Sequence, residues 1–201
     1  MALQNRVTPF GEIVALPGRG LMMGNRGILH NDHRQIVRHF AVRRWIACVL
    51  EFRGRHREVM TPHRYTELFF LDEAAALSAG HRPCAECRRE DYRRFQSFWQ
   101  ASYGGPADAD TMDAKLHADR LLGKTKRTYR DDLAKLPDGT YIASDGKPWL
   151  VWGKHLHEWS DSGYTFHKPR PPRASVEVLT PAAVVTVLAA GYRPDIHPTA
   201  G

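Results

Sequence analysis

Cys84-Ala85-Glu86-Cys87 is the densest piece of chemistry in the sequence. Two thiols separated by two residues address one soft ion, because the turn between them brings both sulfurs to the same side. Pro83 stiffens the entry to that turn, and Arg88-Arg89 after it favour the thiolate form that binds metal. A redox pair is the competing use of Cys-x-x-Cys. No thioredoxin-like βαβ pattern surrounds this one, so zinc is the expected cofactor. A closed tetrahedral site needs two further donors. His30, at the end of Arg26-Gly27-Ile28-Leu29-His30, and Cys48, on the apolar face of a strand pattern, lead the candidates. Cys48 has the alternative of a plain core cysteine. His33 stands in reserve, and His63 and His81 read as surface or hydrogen-bonding histidines. The expected donor set is His30, Cys48, Cys84 and Cys87. It uses all 3 cysteines, too few for a disulfide framework in any case.

Other residues offer other chemistry. His56-Arg57-Glu58 followed by Pro83-Cys84-x-x-Cys87 resembles the zinc-deaminase signature, but that signature needs its His-x-Glu on a helix, and a strand pattern occupies the position here. His117, on a helix, and Glu67, beside Tyr65, are candidate acid–base groups for an enzyme whose zinc is structural. The charge points elsewhere. The chain carries 29 Lys+Arg against 22 Asp+Glu, net +7, and every cation in residues 1–100 is arginine. Arginine's planar fork suits phosphates and base edges. A nucleic-acid partner is therefore expected, met by Arg26, Arg53, Arg55, Arg82, Arg88 and Arg89.

The positioning elements follow from local pattern. Residues 1–29 are rich in glycine and turn signals and read as extended or irregular, leading to a short strand near Ile28. In 43–52, Ile46, Cys48, Leu50 and Phe52 alternate with Trp45, Ala47 and Val49, the pattern of a strand buried on both sides. A turn at 53–55 and a second strand over 56–60 would complete a hairpin. After a strand over 65–71, Asp72 can cap a helix running to Ala79, with Gly80 as its stop. A second helix begins after Cys87, with Tyr92, Phe95, Phe98 and Trp99 on one inward face. The best linker is 104–110. Beyond it come a helix near 111–122 capped at Asp110 or Thr111, a hairpin 140–152 turning on Asp145-Gly146, and a last helix opened by Thr180-Pro181, with Val184, Val185 and Leu188 buried and Gly191 ending it.

Residues 69–88, from Phe69-Phe70-Leu71-Asp72 through the alanine run to Gly80-His81-Arg82-Pro83-Cys84-Ala85-Glu86-Cys87-Arg88, closely resemble the zinc-binding module of Ada-type DNA repair proteins. Arg26 to His33 resembles that module's earlier segment, with His30 where the family places its first cysteine. The resemblance implies a related zinc fold. It argues against suicidal methyl transfer, because that first cysteine is the methyl acceptor and imidazole is a poor substitute.

The chain thus reads as α+β, without a regular βαβ rhythm. An Ada-like zinc lobe is expected over 1–103 and a mixed α+β lobe over 111–201, packed separately or as one domain. No run of 18 apolar residues suggests a membrane span, and the start lacks a signal-peptide layout, so a soluble cytoplasmic protein is expected. The function expected is DNA or RNA binding in repair or processing, with zinc structural and no methyl-acceptor activity. The alternatives are an enzyme with a cleft between the lobes and a zinc-stabilised protein-interaction module.

Overall fold

A computed structural model describes residues 2–54 and 58–201. Among the described residues the fold is α+β, with four α-helices and two six-stranded sheets. The first sheet uses β1 (Gln4–Val7), β2 (Ile13–Ala15), β3 (Met22–Asn25), β4 (Ile46–Cys48), β5 (Leu68–Phe70) and β6 (Arg82–Pro83), in the order β2-β1-β5-β3-β4-β6. Three of these strands come from the segment that reads as extended or irregular. They are short: β1 and β2 form a local hairpin, while β1 and β3 also pair with β5, and β3 with β4, far along the chain, which local pattern does not reveal.

The strand expected over 43–52 is paired only at Ile46–Cys48. Its alternation nevertheless holds: Trp45 and Ala47 are buried on one side, and Cys48 is buried on the other. Residues 58–60 form no strand, and Arg55, His56 and Arg57 lie outside the described residues. The expected hairpin is therefore not formed by the described part of the segment. Instead β4 pairs β3 antiparallel and β6 parallel.

Asp72 caps α1 (Glu73–Ser78), accepting from Ala75 N at 2.8 Å, and Gly80 (φ +89°) takes the left-handed turn after it. The second helix, α2 (Arg89–Tyr103), buries Phe95 and Trp99. The third, α3 (Ala109–Arg120), starts earlier than expected, because Asp108 takes the capping role, its side chain accepting from Asp110 N and Thr111 N. Next come β7 (Leu121–Leu122) and β8 (Thr125–Lys126), a small hairpin. The second sheet then uses β9 (Tyr129–Asp132), β10 (Tyr141–Ser144), β11 (Lys147–Trp152), β12 (His155–Ser160), β13 (Gly163–Pro169) and β14 (Ser175–Val178), in the order β13-β12-β11-β10-β14-β9. The β10–β11 turn has positive φ at both Asp145 (+54°) and Gly146 (+72°), the geometry that matches strand twist. Finally α4 (Ala182–Ala189) buries Val184, Val187 and Leu188, with Val185 half-buried. Its first turn is satisfied partly by Asp119 of α3, which accepts from Ala183 N.

The hydrophobic core does not stop at the 104–110 linker. One cluster joins Leu68, Phe70 and Ala75 to Tyr141, Leu150 and Leu179, and another joins Leu77, Phe95 and Trp99 to Met112, Leu116 and Val187. Among the described residues no helix is long and apolar enough to cross a membrane.

Candidate metal centre

Three elements deliver three sulfurs to one point. Cys48 ends β4. The parallel pairing of β4 with β6 carries the chain on to Cys84, whose N–H donates to Ala47 O at 2.9 Å. The turn Ala85-Glu86 then brings Cys87 round, closed by Arg88 N donating to Cys84 O at 3.1 Å, and α2 follows immediately. The sulfurs of Cys48, Cys84 and Cys87 all lie within 4.8 Å of one another, close enough to bind one metal ion.

Two buried ion pairs clamp this turn. Arg82, two residues before Cys84, forms a bidentate pair with Asp113 of α3, Nε to Oδ1 at 3.0 Å and Nη2 to Oδ2 at 2.7 Å. Arg88, next to Cys87, donates through Nη1 to Glu73 Oε1 at 2.9 Å and through Nε to Asp91 Oδ2 at 3.0 Å. Glu73 also accepts from Tyr192 OH at 2.6 Å and Asp195 N at 2.9 Å. The loop that presents the sulfurs is therefore held by charged pairs inside the protein.

The donor chemistry fits a soft cation. Backbone N–H groups of Glu86 and Cys87 donate to the Cys84 sulfur, and that of Val49 donates to Cys87. Such amide donors favour thiolates. Contact with Cys48 and Cys87 holds the Cys84 thiol far below its usual range, which favours its thiolate. Contact with Cys84 and Cys87, with burial, pushes the Cys48 thiol up. Cys87 is lowered by the Cys48 contact but raised on balance by Cys84 and burial. All three thiols border one cavity of about 430 Å³, walled by Phe52, Tyr65, Phe69 and Glu67.

No family model, curated protein or solved structure matches this chain. The likeness to the Ada module therefore rests on its residues alone.

His30 is not brought into the three-sulfur group. It is buried, with Nδ1 2.6 Å from Thr66 Oγ1 and Nε2 3.2 Å from Thr61 O. Both ring nitrogens thus serve to fix the loop that follows β3. His33 and His63 are exposed. His81 is fully buried and accepts from Arg26 Nε at 3.2 Å. Of the two acid–base candidates, Glu67 lines the sulfur cavity and accepts from Met60 N at 2.9 Å. His117 lies elsewhere, its Nδ1 3.0 Å from Arg120 Nη2.

The expected nucleic-acid arginines divide sharply. Arg26, Arg82 and Arg88 are 1%, 1% and 4% exposed, so none of them lies on the outer surface. Arg53 and Arg89 are exposed, with Arg53 over the Phe52 ring. Arg55 and the His56 of the deaminase-like motif lie outside the described residues. Sequence alone does not separate these two kinds of arginine, although Asp91, three residues after Arg88 on a helix, is a local sign that Arg88 has a partner.

Proposed function

We propose that the protein is a zinc protein in which Cys48, Cys84 and Cys87 hold the ion. The single observation behind this is the meeting of the chain's three thiols at one point on a cavity wall. Thiolate donors select zinc among the abundant divalent ions. Three protein donors leave the fourth position to a group that reaches the ion from the cavity, an arrangement that suits ligand binding at the metal better than a closed structural site does. Zinc would also fix the β4–β6 edge and the start of α2, since it ties Cys48 to the Cys84–Cys87 turn.

Nucleic-acid binding is the second reading. It is supported by the net charge of +7 and by exposed Arg53 and Arg89, but it draws nothing from Arg26, Arg82 or Arg88. A gel shift that weakens as salt rises is its expected signature; no shift at low salt with DNA or RNA rejects it.

Metal analysis of the purified chain tests the first reading. One zinc per chain is expected, lost in Cys48→Ser and Cys84→Ser and retained in His30→Ala. In the cobalt-substituted protein, thiolate-to-metal absorption for three sulfurs is expected, and an added small thiol or azide should shift the visible bands. A protein that takes up neither zinc nor cobalt while its thiols remain titratable refutes the reading. Bands unmoved by added ligands refute the open position.

A further inference from the structure

A second cavity, of about 450 Å³, lies on the other side of β4, against the side chain of Trp45. Its lining holds Arg26, Arg120 and Lys126, with Lys124 at the margin. Arg26 and Arg120 are 1% and 2% exposed. Buried charges in proteins are normally paired or hold a ligand. Among the described residues none of these three cations forms an ion pair.

Their present partners are neutral. Arg26 donates to His81 Nε2 and to Gly11 O. Arg120 donates to the carbonyls of Gly80 and Arg43. Lys126 donates to Ser78 O at 2.6 Å. Arg26 Nη2 and Arg120 Nε are buried without any hydrogen-bond acceptor among the described residues. Gly11 also lines the cavity, and Arg26 Nη2 is the atom nearest to a side chain built on it. Both guanidiniums lie over the Trp45 ring, 4.1 and 3.9 Å from its centroid, which supplies partial compensation. Asp113 supports Arg120 from a distance, but both its oxygens are bonded to Arg82.

The carboxylates on this lining, Glu12 and Glu177, are exposed at the rim, where water screens them. Counting Lys124, four basic side chains face two carboxylates around the cavity, so the balance is positive. Desolvation lowers Arg26 and Arg120 to about 9 and Lys126 to about 7, the direction a missing counter-charge produces.

We propose that this cavity binds a dianion of the phosphate-monoester type, gripped by Arg26 and Lys126 with Arg120 behind them. Binding supplies the acceptor that Arg26 Nη2 lacks and neutralises the cluster. The site is separate from the sulfur cavity and does not depend on the identity of the metal. Arg26 here serves a small bound anion, not the outer surface expected of it from sequence.

Calorimetric titration of the full chain with inorganic phosphate, at ionic strength held constant with sodium chloride, tests this. One saturable site is expected. Lys126→Met should weaken it at least tenfold, and Glu177→Gln, which removes a competing rim charge, should tighten it. Lys124→Ala, at an exposed position, should weaken it severalfold and covers the case in which Lys126→Met does not fold. Absence of saturable uptake at millimolar phosphate overturns the proposal, as does phosphate affinity unchanged in both Lys124→Ala and Glu177→Gln. Acetate binding as tightly as phosphate overturns the dianion assignment. A phosphate-induced change in the cobalt spectrum would put the anion at the metal and overturn the assigned location.

Discussion

Replacing Asp113 with asparagine removes one charge from the Arg82–Asp113 pair while preserving shape. The side chains are 2% and 5% exposed, so the Arg82 guanidinium would stay buried with no counterion bonded to it. Removing one partner of such a pair costs about 3–5 kcal/mol. For a chain of this size each kcal/mol moves the melting temperature by about 2–4 °C, so a fall of about 6–20 °C is expected. The pair itself need not be strongly stabilising. Burial raises the Asp113 carboxyl above its ordinary value of 3.8, outweighing the lowering by Arg82. A carboxylate with a raised folded-state pKa takes stability away near neutral pH, and the loss is relieved as pH falls through that pKa. Replacing both partners, Arg82→Met with Asp113→Leu, should therefore cost far less than Asp113→Asn alone. Urea unfolding of metal-loaded protein, with metal content checked, measures both. A single substitution costing under about 1 kcal/mol, or a double as damaging as the single, would refute the assignment of Arg82 to internal scaffolding. The folded double variant should also keep any salt-dependent nucleic-acid binding, since Arg82 does not reach the surface.

Two further outcomes follow from the same region. Burial first, then Arg26 and Arg120, hold His81 well below 6.5, so the unfolded chain takes up its proton first: stability should be full above about pH 6.5 and decline below it, by at most about 1.4 kcal/mol per pH unit for this one group. His81→Gln, which keeps an acceptor for Arg26 Nε, should flatten that decline in pH-dependent urea unfolding, and an identical slope would refute the role of His81. Gly80→Ala should destabilise by about 1–3 kcal/mol in thermal unfolding, because φ is +89° and the new Cβ would sit 2.6 Å from Arg120 Cδ; a change within about 0.5 kcal/mol would show that α1 can end another way.

What the sequence reveals follows from how local each determinant is. Asp72 and Gly80 mark both ends of α1, because capping and left-handed turns act within a few residues. Asp145-Gly146 marks its hairpin for the same reason. Cys48 is legible because alternation puts it on a definite face of β4, although only three residues of the expected long strand are paired. His30 is not legible as a loop anchor, since its partners Thr61 and Thr66 lie more than thirty residues away and nothing local distinguishes them from a metal. The buried arginines mislead for a related reason. A guanidinium that pairs with Asp113 inside and one that faces solvent are the same letter in a basic sequence, and only tertiary contact decides between them.

The same contacts show why the division at 104–110 does not make two independent units. The sulfur turn belongs to the first half, yet the groups that neutralise its flanking arginines come partly from the second. Asp113 holds Arg82, while Tyr192 OH and Asp195 N hold Glu73 in place for Arg88. Tyr164 OH and His197 N bond Asp72 Oδ2, the other oxygen of the α1 cap, at 2.6 and 2.9 Å. A chain ending at 103 would leave Arg82 buried without its acid or expose it to water, and it would strip Glu73 of two donors. Desolvated charges tolerate neither cheaply. The sulfur cluster of the first half is thus partly held in place by the second half, so metal affinity and global stability should be coupled across the linker.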